Sequence, residues 1–364
     1  GWNMYISKLQ LRNFRNYEYL ELPLENEIYI FMGENAQGKT NLLEAAALLS
    51  TGKSHRTARD RDMIRINEPF ARVKAESVQQ DGEHTVDVVL SRSEKKRVLL
   101  NGLPISRIGD MIGQIKSVMF SPEDLDIIKA GPSQRRRFMD LDRCQMKKSY
   151  FYALNTYNHV LEQRNHLLKL MPAKGGEDTL FIWDEKLSEA AQPIMAEKRR
   201  FVSKLSPLCE RFHYELSGGR ESLKAIYEPS VMGEEEELKE KLLSTLRQNA
   251  ERDIKNKATG FGPHKDDIAF KLGDRDLRWF GSQGQQRTAA LALKLAQLEL
   301  IKEEMGEYPV LLLDDVLSEL DAARQERLLG RLEGIQALIT AAELSESLKK
   351  LPARIIRVKE GRVY

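Results

Sequence analysis

The stretch that begins at Glu27, "EIYIFMGENAQGKTNLLEAAALL", places a short apolar run, a glycine-containing loop and an apolar-rich helical pattern in that order. Its central part, "GENAQGKT" at residues 33–40, matches G-x-x-x-x-G-K-[ST]. This pattern binds phosphate when a strand precedes it and a helix follows it. The sequence therefore predicts a phosphate-binding loop in an α/β fold.

Residues 33–41, called the phosphate loop below, have distinct expected roles. Gly33 and Gly38 let the backbone curl so that its N–H groups point at phosphate oxygens, and the helix N-terminus adds partial positive charge. Lys39 is expected to reach the β- and γ-phosphates and to serve catalysis, and the Thr40 hydroxyl is expected to bind Mg²⁺. The predicted nucleotide-binding residues here are Gly33, Glu34, Asn35, Ala36, Gln37, Gly38, Lys39, Thr40 and Asn41.

A second motif, "VLLLDDVLSELD" at residues 310–321, supplies carboxylates. The apolar run predicts a buried parallel strand, and ligands of α/β sheets bind at the carboxyl ends of such strands. We expect Asp314 to hold Mg²⁺, directly or through water, and Asp315 to polarise the water that attacks the γ-phosphate. The alternative is that the paired aspartates cap the next helix, for which Ser318 or Asp321 is the more natural choice.

The base of the nucleotide is predicted from an absence in the sequence. The guanine-reading motif [NT]-K-x-D occurs nowhere in the chain, and "HKDD" at His264 lacks its first residue. ATP is therefore favoured over GTP. His264 itself is expected to be a turn residue held by hydrogen bonds rather than a catalytic group.

Composition sets broader limits. The chain has 364 residues, 41% hydrophobic and 31% charged, which is typical of a globular protein with about two domains. Its net charge of +2 means that any basic surface must be local. Two cysteines exclude a disulfide framework or a zinc site. We find no secretory signal and no apolar run long enough for a bilayer, and so expect a cytoplasmic protein without a membrane partner.

The order of patterns along the chain indicates a split head with an insertion. "HTVDVVLSRSEKKRVLLNGLPI", from His84, predicts antiparallel hairpins with a turn at Asn101-Gly102. Apolar residues at helical spacing fill the middle, and strand patterns return after Gly260. We predict residues 4–132 as the N-terminal part of an ATPase head, 133–257 as an inserted helical arm and 258–364 as the C-terminal part of the head.

The segment "SQGQQ" at residues 282–286, called the signature turn below, lies at a predicted helix start. Ser282 can donate to an anion, Gly284 allows close approach, and the helix supplies its dipole. Because the turn has no lysine, it could not hold a triphosphate alone. It is expected to be the second half of the site that the phosphate loop begins, with the two halves meeting either within one chain or between two.

Several motifs resemble known families. The signature turn resembles the signature loop of ABC-type ATPases, and "SELD" at residues 318–321 resembles their D-loop. The early phosphate loop, late signature and short insertion resemble the SMC-like branch. "LRNFRNY", "KSHRT", "FSPEDLDIIKAGPSQRRRFMD" and "GFGPHKDD" are similar to the RecF family of bacterial recombination mediators. The resemblance implies an α/β ABC/SMC-like head with an antiparallel β sub-lobe and an inserted α-helical arm.

This resemblance also implies a mechanism. Two heads would stack with ATP between them, so that Ser282, Gly284 and Gln285 contact the γ-phosphate of ATP on the partner in an ATP-dependent homodimer. Asp315 stands where the wider ABC pattern has glutamate, and Gln283 replaces a glycine; both departures fit RecF-type proteins. The shorter carboxylate of Asp315 implies slow hydrolysis, which would act as a switch. The resemblance further implies that Arg56 approaches the nucleotide and that Asn13 and Arg15 line its adenine side. It also implies Thr340 as a γ-phosphate sensor.

The family's role implies DNA as a ligand, both double-stranded and at single-strand/double-strand junctions. It also implies RecO- and RecR-type partners, and loading of RecA at gaps. The predicted DNA-binding residues are Lys53, Arg59, Arg61 and Arg65. Clusters at residues 95–97 and 135–137 are less favoured, because most charge runs are solvated faces.

Three other functions compete with this interpretation. An ATPase module of a nuclease system, of the overcoming-lysogenization type, would need a further acidic metal cluster. Another SMC-like ATPase would share the same motifs, although the arm is too short for a long coiled coil. A transporter's nucleotide-binding subunit is usually shorter and lacks such basic stretches.

Overall fold

The computed structural model describes residues 3–35, 37–172 and 177–364. The chain forms two compact units: unit 1 comprises Gly1–Asp124 and Leu293–Tyr364, and unit 2 comprises Leu125–Ala292. This division follows packing, and unit 2 takes in the signature turn as well as the inserted segment. The head and arm boundaries at 132/133 and 257/258 stay predictions.

Strands occur throughout unit 1, and those of unit 2 form one small sheet. In chain order they are β1 (Tyr5–Phe14), β2 (Tyr17–Pro23), β3 (Ile28–Met32), β4 (Phe70–Gln79), β5 (Gly82–Ser91), β6 (Arg97–Leu100), β7 (Leu103–Ile105), β8 (Ser117–Phe120), β9 (Leu223–Glu228), β10 (Asp267–Leu272), β11 (Arg275–Asp276), β12 (Val310–Asp314), β13 (Ala337–Ala341), β14 (Ala353–Lys359) and β15 (Arg362–Val363).

Most helices lie between β8 and β12. In chain order they are α1 (Lys39–Thr51), α2 (Leu125–Lys129), α3 (Pro132–Met146), α4 (Lys148–Leu170), α5 (Glu177–Leu216), α6 (Leu238–Gln248), α7 (Ala250–Asn256), α8 (Leu277–Phe280), α9 (Gln283–Met305), α10 (Ala322–Leu329) and α11 (Glu346–Lys349). The helical spacing recognised in the middle of the chain corresponds to α4 and α5.

The antiparallel sheet of unit 1 has the strand order β2-β1-β4-β5-β6-β7. In β1, Leu9 and Leu11 are buried, while Lys8 and Gln10 are partly exposed, because successive side chains of a strand point to opposite faces of the sheet. Asn101 and Gly102 join β6 to β7 with φ values of 52° and 80°. Positive φ at both turn residues is what an Asn-Gly hairpin turn requires, so this turn prediction is confirmed.

The other sheet of unit 1 determines the position of the candidate site. Its order is β15-β14-β3-β13-β12-β8, with parallel pairing from β14 through to β8. Every residue of β12 and β13 is buried, which explains their nearly continuous apolar sequences. Because carboxyl ends of parallel strands lie at one edge, the loops after β3, β12 and β13 leave the sheet together.

Unit 2 combines helices with a small antiparallel sheet of order β11-β10-β9. The predicted helical arm, residues 133–257, includes "LKAIYE", but this segment forms β9 and pairs with β10 along its whole length. Leu223 and Ala225 are buried while Lys224 and Ile226 are exposed, a period of two that favours a strand. The inserted segment is therefore not purely helical.

Two further observations bear on composition. Cys144 and Cys209 are both free thiols, and burial raises the pKa of Cys209. Across residues 3–35, 37–172 and 177–364, no helix is both long enough and apolar enough to cross a bilayer.

Candidate nucleotide-binding site

The phosphate loop connects β3 to α1 in a conformation that requires glycine at two positions. Gly38, the residue before α1, has φ 108°, in the left-handed region that favours glycine. A Cβ atom at Gly33 would lie 2.3 Å from the carbonyl oxygen of Val358. Both glycines of the motif therefore have a steric reason here. Ala36, also predicted to bind nucleotide, lies outside the described residues.

Side chains and backbone from both ends of the chain hold this loop. The Tyr17 hydroxyl donates to the Gly38 carbonyl at 2.9 Å, and Asn16 Nδ2 donates to the Gln37 carbonyl at 3.2 Å. From the turn between β14 and β15, the Glu360 N–H donates to Gln37 Oε1 at 2.7 Å, and the Gly361 N–H donates to its carbonyl at 3.1 Å. Sequence reasoning missed Asn16 and Tyr17, although both lie within the quoted "LRNFRNY".

The two residues predicted to bind metal are brought together. Thr40 Oγ1 donates to Asp314 Oδ1 at 3.0 Å, and Thr340 Oγ1 donates to the same oxygen at 2.9 Å. Burial alone would raise the pKa of Asp314, but hydrogen bonds from His55, Thr340 and Thr40 outweigh it and lower that pKa. Asp314 is therefore a carboxylate. A hydroxyl and a carboxylate oxygen side by side suit Mg²⁺, which prefers oxygen ligands.

His55, in the loop after α1, also lies beside Asp314. Its Nε2 is 3.7 Å from Asp314 Oδ2, and its Nδ1 is buried with no hydrogen-bond partner among the described residues. Sequence reasoning quoted His55 within "KSHRT" but gave it no role. The His55 ring therefore restricts rotation of the Asp314 carboxylate on the side of Oδ2.

Asp315 leaves the end of β12 in an unusual backbone conformation. Its φ is 53°, uncommon for a residue with a side chain, and its N–H donates to Thr340 Oγ1 at 3.0 Å. Its exposed carboxylate accepts from Ser318 Oγ at 3.3 Å. Thr340 therefore contacts both aspartates. This backbone strain lies at the residue predicted to act as the catalytic base.

The alternative interpretation of the aspartate pair as a helix cap is excluded. Asp321 is the N-cap of α10, and its Oδ1 accepts from the Arg324 N–H at 2.8 Å. Asp314 and Asp315 are therefore not needed for capping. Lys39 lies near both of them: burial lowers its pKa, and the charges of Asp315 and Asp314 offset part of that effect.

A buried ionic network braces α1. Arg15 donates to both carboxylate oxygens of the fully buried Glu44, at 2.7 and 2.8 Å, and Ser54 Oγ donates to Glu44 at 2.6 Å. Arg56 donates to Asn41 Oδ1 at 2.6 Å, so two predicted nucleotide-binding residues contact each other. Arg15 is occupied by Glu44, which gives no support to a place for it beside adenine.

The signature turn forms a reciprocal helix cap in unit 2. The Ser282 hydroxyl accepts from the Gln285 N–H at 3.1 Å, and Gln285 Oε1 accepts from the Ser282 N–H at 3.0 Å. Gln285 Nε2 donates to Glu221 Oε1 at 2.9 Å. Gly284 is exposed, and a Cβ added there would meet nothing within 4 Å. The three predicted trans-acting residues thus share the first turn of α9.

Some residues of the basic clusters are exposed, and others bond to groups of the same chain. Lys53, Arg59 and Arg61 are exposed, whereas Arg65 donates to the Asn16 carbonyl at 2.8 Å. In the less favoured clusters, Lys96 pairs with Asp60 at 3.0 Å. Arg135 is buried and pairs with Asp267 at 2.5 Å. Structural roles therefore account for some of these cations.

The prediction for His264 is confirmed. Its Nδ1 makes a hydrogen bond with the Tyr157 hydroxyl at 2.5 Å, and its Nε2 makes one with the Thr259 carbonyl at 2.9 Å. Burial lowers its pKa to about 4, so the ring is neutral. Among the described residues, no group of three or more His, Cys, Asp or Glu side chains is arranged to hold a metal ion.

The phosphate loop after β3, the aspartate at the end of β12 that is predicted to bind metal, and the capped signature turn are features of P-loop heads of the ABC and SMC type. A family model described as the RecF/RecN/SMC N terminal domain matches residues 5–360. The chain belongs to the RecF family, as its sequence relatives show.

Two of these relatives are each called DNA replication and repair protein RecF. The protein of Lachnoclostridium phytofermentans is 44% identical, over 99% of this chain and 97% of its own length. That of Alkaliphilus oremlandii is 41% identical, over 99% of this chain and 100% of its own.

Solved structures agree with this assignment. A structure of "the recombination mediator protein RecF-ATPrS in RecFOR pathway" has a TM-score of 0.93 at 37% identity, and covers 100% of this chain and 98% of its own. A more distant Smc head domain from Pyrococcus furiosus has a TM-score of 0.58 at 18% identity, over 99% of this chain and 95% of its own. The second likeness concerns the fold alone.

Proposed function

We propose that this chain is an ATP-gated DNA-binding protein of recombinational repair. The observation that carries the proposal is the contact between Thr40 of the phosphate loop and Asp314. It provides two oxygen ligands for the metal ion of a bound triphosphate. Its relatives are called DNA replication and repair proteins, and solved relatives are described in ATP and ATPrS forms. These names support ATP as the nucleotide.

Each residue of the site has a specific task. The backbone N–H groups of the phosphate loop, with Gly33 and Gly38, cradle the phosphates, while Lys39 neutralises the terminal ones. Thr40 and Asp314 would hold Mg²⁺, which supplies charge neutralisation at the phosphates. Asp315 accepts a proton from the attacking water. The Thr340 hydroxyl accepts from the backbone N–H of Asp315 and so fixes the backbone of that residue.

The ATP-dependent contact, called the gate here, forms between two copies of the chain. Ser282, Gly284 and Gln285 of one copy contact the γ-phosphate of the ATP that the other copy holds, so ATP joins a homodimer. Hydrolysis weakens these contacts and releases the dimer. Asp315 has a shorter side chain than glutamate, so its reach to water is reduced and hydrolysis is slow enough to act as a switch.

The dimer would bind DNA, including single-strand/double-strand junctions. The exposed Lys53, Arg59 and Arg61 would contact phosphates, and a second copy doubles their number. Because solved relatives are described in the RecFOR pathway, we propose RecO- and RecR-type partners and assistance to RecA loading at gaps. The work would take place in the bacterial cytoplasm, where the chromosome lies.

Light scattering of an Asp315→Asn variant tests the gate, because blocked hydrolysis should trap the ATP-bound state. We expect the mass to double with ATP and Mg²⁺, and not without them. An Asp315→Asn chain that also carries Lys39→Ala should stay monomeric and serves as the control. A mass that does not respond to ATP would refute the trans arrangement.

A further inference from the structure

Two large aromatic side chains lie in solvent directly before the signature turn. Trp279 is 67% exposed and Phe280 is 69% exposed, and the Arg278 guanidinium lies 4.4 Å from the centre of a Trp279 ring. Adjacent exposed aromatics are costly in water and are enriched at the centres of protein interfaces. We call Trp279 and Phe280 the aromatic pair.

The aromatic pair is rigidly connected to the signature turn. Leu277 is buried, and its carbonyl accepts from the Gly281 N–H at 3.2 Å and from Gln286 Nε2 at 2.9 Å. A Cβ at Gly281 would lie 2.8 Å from the Leu277 carbonyl oxygen. Only glycine therefore lets the chain turn so closely from α8 into α9.

Further bonds fix the other side of the turn. The reciprocal cap between Ser282 and Gln285 sets the first turn of α9, and Glu221 holds the Gln285 amide at 2.9 Å. The aromatic pair, the cap and Glu221 all belong to unit 2. A body that docks on Ser282 and Gln285 therefore also meets Trp279 and Phe280.

We infer that the aromatic pair is an anchor of the ATP-bound dimer, buried against a second copy of this chain. The inference rests on the proposed function, in which the signature turn faces the other copy. Buried Trp and Phe side chains cover roughly 150–250 Å² each, against about 800 Å² per partner in a standard interface. Because Trp279 and Phe280 are 67% and 69% exposed, burying their accessible surface would supply on the order of a third of the area per partner. Two-fold symmetry would use the pair twice.

Tryptophan fluorescence tests this anchor directly. The chain has three tryptophans, so Trp2→Phe and Trp183→Phe leave Trp279 as the sole reporter. In an Asp315→Asn background, ATP and Mg²⁺ should shift its emission to the blue and reduce acrylamide quenching several-fold as the scattered mass doubles. A doubled mass with unchanged emission and quenching would overturn the anchor and leave the proposed function intact. A mass that never doubles would overturn both.

The same reporter separates the second copy from DNA. A single-stranded oligonucleotide added without ATP should leave the Trp279 emission unchanged. A change of emission at constant mass would mean that the aromatic pair stacks on bases, and would overturn the anchor.

Substitution provides an independent test. Trp279→Ala and Phe280→Ala should each weaken dimerisation with ATP at least about tenfold, while ATP binding by the monomer stays unchanged. Ile182→Ala, which shortens a side chain 64% exposed elsewhere in unit 2, is the matched control and should dimerise normally. Equal dimer affinity for all three variants would contradict the anchor.

Discussion

The Thr40 hydroxyl lies 3.0 Å from Asp314 Oδ1, although 274 positions separate the two residues. The parallel sheet produces this contact: β3 leads into the phosphate loop, β12 ends at Asp314, and β13 lies between them. Thr340 at the end of β13 completes the group, because its hydroxyl bonds to Asp314 and accepts from the Asp315 N–H.

Removing the Thr40 hydroxyl should abolish most of the effect of Mg²⁺ on ATP binding. For Thr40→Ala we expect the Mg²⁺-dependent gain in affinity to fall by about tenfold or more, since an oxygen ligand is lost. Titration with a fluorescent ATP analogue, with Mg²⁺ or with EDTA, measures this gain. Thr51→Ala, whose hydroxyl donates to the Ala47 carbonyl of its own helix and to the Lys53 carbonyl, is the control. Equal losses in both variants would refute the assignment.

Lys39→Ala should lose nucleotide affinity outright, because its charge is proposed to neutralise the terminal phosphates. Removing the lysine also leaves the neighbouring charges of Asp314 and Asp315 without their cation, and this negative site opposes binding of a triphosphate. Calorimetric titration with ATP measures the affinity. Lys53→Ala, which removes an exposed lysine beyond the same helix, should bind normally. Unchanged binding by Lys39→Ala would remove the basis of the phosphate-loop assignment.

Ser282→Arg should separate ATP binding from dimerisation. The bulky cation fills the turn that is proposed to face the partner's γ-phosphate, but it leaves the phosphate loop intact. We expect monomeric affinity for ATP to be retained and the ATP-dependent doubling of mass to disappear. Ser93→Arg, at an exposed serine of unit 1, controls for added charge. Normal dimerisation of Ser282→Arg would contradict trans closure.

The exposed cations should control the salt dependence of DNA binding. Replacing both Arg59 and Arg61 with alanine should reduce the slope of log affinity against log salt by about four, roughly one for each phosphate contact that the two copies of the dimer lose. Fluorescence anisotropy with a gapped duplex, with ATP and Mg²⁺, measures the slope. Lys204→Ala removes an exposed cation of unit 2 and should leave it unchanged. An unaltered slope in the double variant would place the DNA elsewhere.

Protonation of His264 should destabilise the fold as the pH falls. Burial lowers its pKa to about 4 from the ordinary 6.5, so the unfolded chain binds the proton first. As the pH falls from about 6.5 to about 4, the free energy of unfolding should decrease by about 3 kcal/mol in total. Below the lower value this residue adds no further loss.

Urea denaturation measures this effect through the difference between about pH 7 and about pH 5. The loss of stability should be smaller by about 2 kcal/mol in His264→Asn than in the unsubstituted chain. His159→Gln, at an exposed histidine on α4, should keep the original dependence. A pH dependence that His264→Asn does not alter would show that the buried ring does not titrate in this range.

Local patterns were sufficient for the parts of the site that depend on neighbouring residues. The phosphate loop, the aspartates at the carboxyl end of β12 and the Asn101-Gly102 turn each have their signal within a few positions. β9 was missed because a short, half-exposed strand is specified by its pairing with β10, which lies across α6 and α7. The same holds for His55 and Tyr17, since no spacing relates them to Asp314 or Gly38.

The hairpin of β14 and β15 has a consequence for folding. It binds Gln37 through Glu360 and Gly361, so a segment far away in the sequence braces the phosphate loop. Such non-local contacts form late in folding. Until the hairpin has docked, the loop has the support of Asn16 and Tyr17 but lacks that of the hairpin. Nucleotide-driven pairing would thus select fully folded copies and leave partly folded ones unpaired.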